Sequence, residues 1–261
     1  MPPDSSPDSP AGAVRPDLVT VVERVAEVQG WMTPGQAATL YDAAAHCPPH
    51  GSIVEIGSFQ GRSTIVLASA APPGVTITAI DPHAGNDRGP QEIEGYADQA
   101  ADDHATFLAN LERAGVAGRV RHVRMFSDAA LAEVPGPIDV LYIDGAHRYG
   151  PARADIRDWG ARVSDGGTLL IHDSFSSIGV TLAILRELVA GRRFRYVGRS
   201  RSMTIYRADL PGGGAARARN AGRQLLQLPW FVANVGLKIG LSLGLGTVLK
   251  RLGRPVPEWP Y

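Results

Sequence analysis

The sequence predicts an α/β protein: a doubly wound parallel sheet with a terminal antiparallel hairpin, N-terminal helices and a C-terminal amphipathic helix. Three observations predict it. From residue 52 onward, apolar runs of strand length alternate with helix-length segments, and such alternation implies parallel strands covered by helices on both faces. The first run, Ile53 to Ile56, ends in the glycine turn Gly57-Ser58-Phe59-Gln60-Gly61 and opens straight into a helix. The 261 residues, 44% of them hydrophobic, can bury a core sufficient for one such domain plus additions.

Taken in order, residues 1–16 are rich in Pro, Ser and Asp, with neither a basic nor an apolar stretch, so they are expected to be a disordered tail rather than a signal peptide. Residues 17–50 are expected to form a helical layer. Asp17 to Gln29 and Pro34 to His46 carry helical apolar spacing, with Pro34 suited to a first turn after Thr33. A domain over 51–210 then reads as strand Ile53 to Ile56, helix from Arg62, strand Val75 to Ile80, helix Asp102 to Ala114 and strand Val120 to Met125. A short helix near Asp128, strand Ile138 to Ile143, helix Pro151 to Ala161, strand Thr168 to Ile171 and helix Ile178 to Ala190 complete five βα units. Phe194 to Val197 and Met203 to Tyr206 flank a Gly-Arg-Ser-Arg-Ser turn as a hairpin at the sheet edge.

Residues 211–261 change character. Pro211 to Gly214 reads as a linker, followed by arginines 217, 219 and 223, an apolar run from Leu225 to Leu249, and Lys250, Arg251 and Arg254. Asn234, Lys238, Ser242, Gly246 and Lys250 recur at four-residue steps opposite Leu237, Leu241, Leu245 and Val248. This predicts an amphipathic helix with basic flanks, of the kind that lies in an anionic membrane interface through residues 223–254, or that packs on the core or a partner subunit. Lys238 at its centre argues against a membrane span.

Lys and Arg number 26, as do Asp and Glu, so nothing global argues for nucleic acid. The single cysteine, Cys47, cannot form an intramolecular disulfide and fits a reducing, cytoplasmic compartment as a structural thiol.

Ligands of a doubly wound sheet bind beyond the carboxyl ends of its strands. Those ends are polar here: Glu55-Ile-Gly57, Asp81-Pro-His83, Ser127-Asp128, Asp144-Gly-Ala-His147 and His172-Asp173-Ser174. Glycines at 57 and 61 let the backbone approach a ligand, and an Asp closing the second strand suits ribose hydroxyls. The segment from His83 to His104 carries Asp87, Glu92, Glu94, Asp98, Asp102 and Asp103, and reads as a lid with Tyr96 as a sugar-stacking surface.

Taken together, Val54-Glu55-Ile56-Gly57-Ser58-Phe59-Gln60-Gly61-Arg62-Ser63-Thr64, Ile80-Asp81, Asp139 to His147 and Gly166 to Asp173 resemble the class I S-adenosylmethionine-dependent methyltransferases. Within these, residues 30–207 are most similar to the cephalosporin and macrolide-sugar O-methyltransferase branch, of methyltransferase family 24 type. The resemblance implies a Rossmann-like sheet in which Glu55, Gly57, Ser58, Gly61, Arg62 and Ser63 surround the methionine portion of S-adenosylmethionine, Asp81 the ribose, and Ser127 and Asp128 the adenine edge. It implies His147 as general base, since imidazole titrates near neutrality. It also implies a divalent metal, Mg or Mn, held by Asp144 and Asp173 with His172; the imidazole weakens the case for Mg and leaves Mn open. The expected activity is O-methyl transfer, aided by Asp144 and His147, to a small-molecule or glycan acceptor, a sugar or polyhydroxylated metabolite, lipid-linked ones included. The expectation includes a cytoplasmic chain, peripheral on the inner face of a membrane and able to form a homo-oligomer. A catechol or polyketide hydroxyl as acceptor, a non-catalytic membrane-recruited cofactor-binding module and a nucleotide-dependent oxidoreductase are the competing readings. The last lacks the Gly-x-Gly-x-x-Gly pattern of dinucleotide folds.

Overall fold

A computed structural model describes residues 15–84 and 97–242. The expected tail, residues 85–96 of the proposed lid with Tyr96, and the end of the C-terminal run from residue 243 lie outside the described residues, while residues 97–104 of that segment form the start of a helix that was expected only from Asp102. The chain forms α1 (Leu18–Arg24), α2 (Pro34–Ala45), β1 (Ser52–Ile56), α3 (Arg62–Ala70), β2 (Thr76–Ile80), α4 (Ala97–Arg113), β3 (Val120–Val123) and α5 (Ser127–Ala130). There follow β4 (Ile138–Ile143), α6 (Tyr149–Asp158), β5 (Val163–Ile171), α7 (Ile178–Ile184), β6 (Arg195–Ser200), β7 (Met203–Arg207), α8 (Gly214–Leu225) and α9 (Leu228–Ser242). Strand order is β3-β2-β1-β4-β5-β7-β6, parallel except for β7, which pairs antiparallel with β5 and β6. The order reverses beside β1, so the crevice between the ends of β1 and β4 is the topological switch point where such sheets bind ligands.

Strand side chains alternate between two cores. Ile53, Ile77, Val140, Tyr142 and Leu170 pack with α1 to α4 on one face. Val54, Ile80, Leu141, Leu169 and Ile171 meet Ile156, Trp159 and Ile184 on the other. Burial on both faces explains why these strands read as continuous apolar runs. Helix α2 begins with the expected Pro34 behind a capping box, in which Thr33 and Gln36 satisfy each other's backbone N–H.

Several boundaries move. The first helix stops at Arg24 rather than Gln29, and β5 starts at Val163 rather than Thr168. The helix expected through Ala190 is α-helical only to Ile184 and ends in a π-turn, Leu185–Val189. The larger correction lies after the linker, where one amphipathic helix was expected and two are found. Helix α8 is docked on the hairpin: Asn220 Oδ1 accepts from Tyr196 N at 2.7 Å, Asn220 Nδ2 donates to Phe194 O at 3.0 Å, and Tyr206 Oη donates to Gln224 Oε1 at 3.2 Å. On α9, Asn234 is partly buried and turned toward the core: its Nδ2 donates to Phe175 O at 3.3 Å, while Leu228, Trp230 and Phe231 pack against the core. No helix of the described residues is long and apolar enough to cross a membrane.

Candidate active site

A cleft of about 500 Å³ opens at the carboxyl ends of the strands, within the size range of small-molecule sites. Gly57, Ser58, Arg62, Ser63, Asp81, Ser127, Asp128, Asp144, His147, His172 and Asp173 all line it, so residues 116 positions apart meet in one place. Gly57 is required where it stands: its φ is +87°, and a Cβ there would lie 2.3 Å from Asp144 O. Asp81 fixes the turn, accepting from Phe59 N and His83 N at 2.8 Å each, which leaves it lone pairs toward the cleft. Phe59, His83 and Asp173 hold left-handed backbones at φ 45°, 45° and 52°, strain of the kind that collects at functional sites.

Two expected residues do not line the cleft. Glu55 is fully buried and points toward α3, where Ser63 Oγ and Thr64 Oγ1 both donate to its carboxyl. Burial above all, against those hydroxyls, pushes its pKa up to about 8, so it is a protonated brace for the start of α3. Gly61 caps α3 with φ +89° and faces Phe107 rather than the cleft.

The acidic and imidazole groups converge where β4 and β5 end. His147 Nε2 lies 2.6 Å from Asp173 Oδ2, and Ser176 Oγ donates to Asp173 Oδ1 at 3.0 Å. His172 sits between the carboxylates. Its Nδ1 is 3.1 Å from Asp144 Oδ1 and 3.4 Å from Asp173 Oδ2, close enough to pair charge but off the line of a hydrogen bond. Burial alone would neutralise this ring; the two carboxylates outweigh it and hold its pKa well above the usual value. Burial likewise opposes ionisation of Asp173, yet His172 and His147 keep its pKa well below the ordinary carboxylate range. Donor atoms of Asp144, His147 and Asp173 lie within 4.8 Å of one another. The candidate ion-holding set is thus Asp144, His147 and Asp173, with His147 where His172 was expected.

Sequence reasoning missed several contributors. Tyr142 Oη donates to Asp144 Oδ2 at 2.8 Å, and the two-residue period of a strand was the available signal. Ser127 Oγ donates to Asp155 Oδ1 at 2.5 Å, and Trp159 Nε1 to Ser127 O at 3.1 Å, so α6 and the residue after it fix Ser127 in the cleft wall. At the opposite end, Trp31 stacks on Phe59 with ring centroids 5.6 Å apart.

Residues 54–174 match a protein family described as a methyltransferase domain. Among solved structures, the chain is similar to the O-methyltransferase NovP at 15% identity, covering 69% of this chain and 83% of that one with a TM-score of 0.53. It is similar to cofactor-bound Rv0187 from MTB at 18% identity, covering 73% and 87% with a TM-score of 0.51. An O-methyltransferase from Bacillus cereus in complex with SAH matches at 20% identity, covering 73% and 90% with a TM-score of 0.50. At these identities the likeness is one of fold.

Proposed function

The chain carries an S-adenosylmethionine-dependent methyltransferase domain, and from that premise we propose that it methylates a hydroxyl oxygen of a sugar or other polyhydroxylated small molecule. One observation carries the reading: His147, held 2.6 Å from Asp173, faces the same cleft as the glycine turn. S-adenosylmethionine supplies a methyl group on a sulfonium, ready for direct displacement. The protein's task is then to align an acceptor oxygen and remove its proton.

On the donor side, Gly57, Ser58, Arg62 and Ser63 border the methionine portion, Asp81 the ribose, and Ser127 and Asp128 the adenine edge. On the acceptor side, Asp173 engages Nε2 of His147 and so leaves Nδ1 to receive the hydroxyl proton. Ser176 in turn fixes Asp173, a base and its orienter in sequence. With His147 engaged as the base, the carboxylates Asp144 and Asp173 are the groups left to hold a divalent ion. An ion bound there would lower the pKa of the acceptor hydroxyl, with Asp144, braced by Tyr142, and Asp173 as its carboxylate holders.

The reading extends to where the acceptor is met. Over residues 186–237 ten arginines stand against Glu187 and Asp209, and Leu226 and Val232 are 75% and 65% exposed. This combination supports contact with the anionic inner face of a membrane and a lipid-linked acceptor.

Replacing His147 by Ala tests the core of the proposal. Transfer of labelled methyl groups to a panel of glycans and polyols, run with and without chelator, should fall by about 10²-fold or more. Binding of S-adenosylhomocysteine should persist. Unchanged turnover in His147→Ala would remove the base and with it the reading.

A further inference from the structure

Three histidines that methyl transfer leaves without a task pack together on the β2–β3 side of the sheet. His83 follows β2, His104 lies on α4 and His122 on β3. Their ring centroids form a nearly equilateral triangle: 5.1 Å from His83 to His104, 5.1 Å from His83 to His122, and 5.2 Å from His104 to His122. Phe107 packs on His83 at 5.3 Å and on His122 at 4.7 Å, an apolar wall for the cluster.

The ring nitrogens of this cluster are poorly served by the protein. His83 Nε2 lies 2.9 Å from Phe59 O, and since a carbonyl only accepts, Nε2 carries the proton. In the neutral ring Nδ1 then holds the lone pair. That atom is buried on a side chain 1% exposed, makes no hydrogen bond, and has Asp81 Oδ1, a second acceptor, 3.8 Å away. His122 Nε2 is likewise buried without a partner. Burial first, then His83 and His104, push the pKa of His122 down to about 4 against the pull of Asp81, so its ring is neutral at pH 7. Burial, Arg124 and His83 lower that of His104 as well. Buried polar atoms are normally satisfied, and two orphaned imidazole nitrogens in one cluster require a partner that the side chains do not supply.

We infer that His83, His104 and His122 hold a divalent ion of the zinc type, at a site separate from Asp144, His147 and Asp173. Neutral imidazole suits zinc, copper and nickel. A ligating histidine usually donates its other N–H to a carbonyl or carboxylate, which fixes its tautomer, and His83 does so to Phe59 O. Three imidazoles round one tetrahedral ion, each nitrogen about 2.0–2.1 Å from it, place their ring centres roughly 5 Å apart, as these three stand. Among the described residues, only the Asp144, His147 and Asp173 donors already lie within 4.8 Å of one another. The imidazole site therefore closes on its ion, with His104, the partly exposed member on α4, turning a nitrogen inward. A water completes the fourth position. Such an ion joins the end of β2, α4 and β3, and steadies the turn that Asp81 fixes.

The test titrates zinc into the chelator-stripped full chain, in a background of Asp144→Asn with His147→Ala that removes two donors of the acidic set. One equivalent should bind with a dissociation constant of about 1 μM or below. His104→Ala added to this background should weaken zinc by at least the tenfold to hundredfold that loss of even a supporting group costs. Its metal-free thermal midpoint should stay within about 2 °C, because His104 is partly exposed. His122→Gln, on a different element, should weaken zinc in the same way. Cobalt(II) in place of zinc should give the strong visible absorption of a four-coordinate, nitrogen-rich centre. Absence of zinc binding in the background protein would overturn the inference. So would zinc affinity that His104→Ala leaves unchanged, or the pale spectrum of six-coordinate cobalt.

Discussion

Individual residues show how far chemistry can be read from type and position alone. Glu55 ends β1 as an acid at a strand end should, yet strand alternation turns it toward α3 instead of the cleft. Its identity was legible and its partners were not, because Ser63 and Thr64 look like ordinary first-turn residues. The burial has a measurable consequence. A carboxyl whose pKa rises from 4.5 to about 8 on folding keeps its proton across that window only in the native state. Stability from this group is therefore full below about pH 4.5 and is lost as pH climbs toward about 8, by on the order of a few kcal/mol. Glu55→Gln keeps the shape without the titration. Urea unfolding from pH 5 to 8 should show a flatter slope in the variant than in the wild type; identical slopes would mean Glu55 is ionised in place. Cys47 conforms to its sequence reading, since burial first and Asp139 second push its thiol up to about 12 and leave it unreactive.

At the scale of elements, the central strands β1, β2, β4 and β5 were legible because they are largely buried on both faces, and a glycine or polar residue follows each where the apolar environment stops. The glycine turn was legible for a related reason: two glycines four residues apart, between a strand and a helix, mark a backbone that must bend and approach closely. Gly57→Ala tests this, since the new Cβ would meet Asp144 O at 2.3 Å on a backbone at φ +87°. A loss of more than about 2 kcal/mol in unfolding free energy is expected, together with weakened S-adenosylhomocysteine binding, because the clash separates the ends of β1 and β4. Helix α8 was not legible as a docked element. Asn220 and Gln224 are two polar residues in a basic stretch, and their partners Phe194, Tyr196 and Tyr206 lie 18 to 26 positions earlier. Hydrogen bonds across such distances leave no periodic trace. The same holds for Ser127 and Asp155, 28 positions apart.

For the whole molecule, the neutral total charge conceals a division. Ten of its arginines lie between residues 186 and 237 with only two acids among them, so the remainder is acidic on balance. Local fields of that kind, and not the net charge, govern approach to a charged surface. The docking of α8 also changes how membrane contact must be tested. Deleting everything from residue 211 would remove Asn220 and Gln224 from the hairpin, so a loss of liposome binding could reflect a damaged fold. Leu226 and Val232 point outward and touch none of those contacts, and replacing both by Asp leaves the docked face intact. The double variant should stop sedimenting with vesicles containing anionic phosphatidylserine, retain its thermal midpoint within about 2 °C, and keep its affinity for S-adenosylhomocysteine. Binding in the wild type should fall steeply with added salt, because the arginines contribute through a screened field. Sedimentation that survives both substitutions would show that the exposed apolar strip is not the membrane-facing surface, and the case for a lipid-linked acceptor would lose its support while the chemistry at His147 stood.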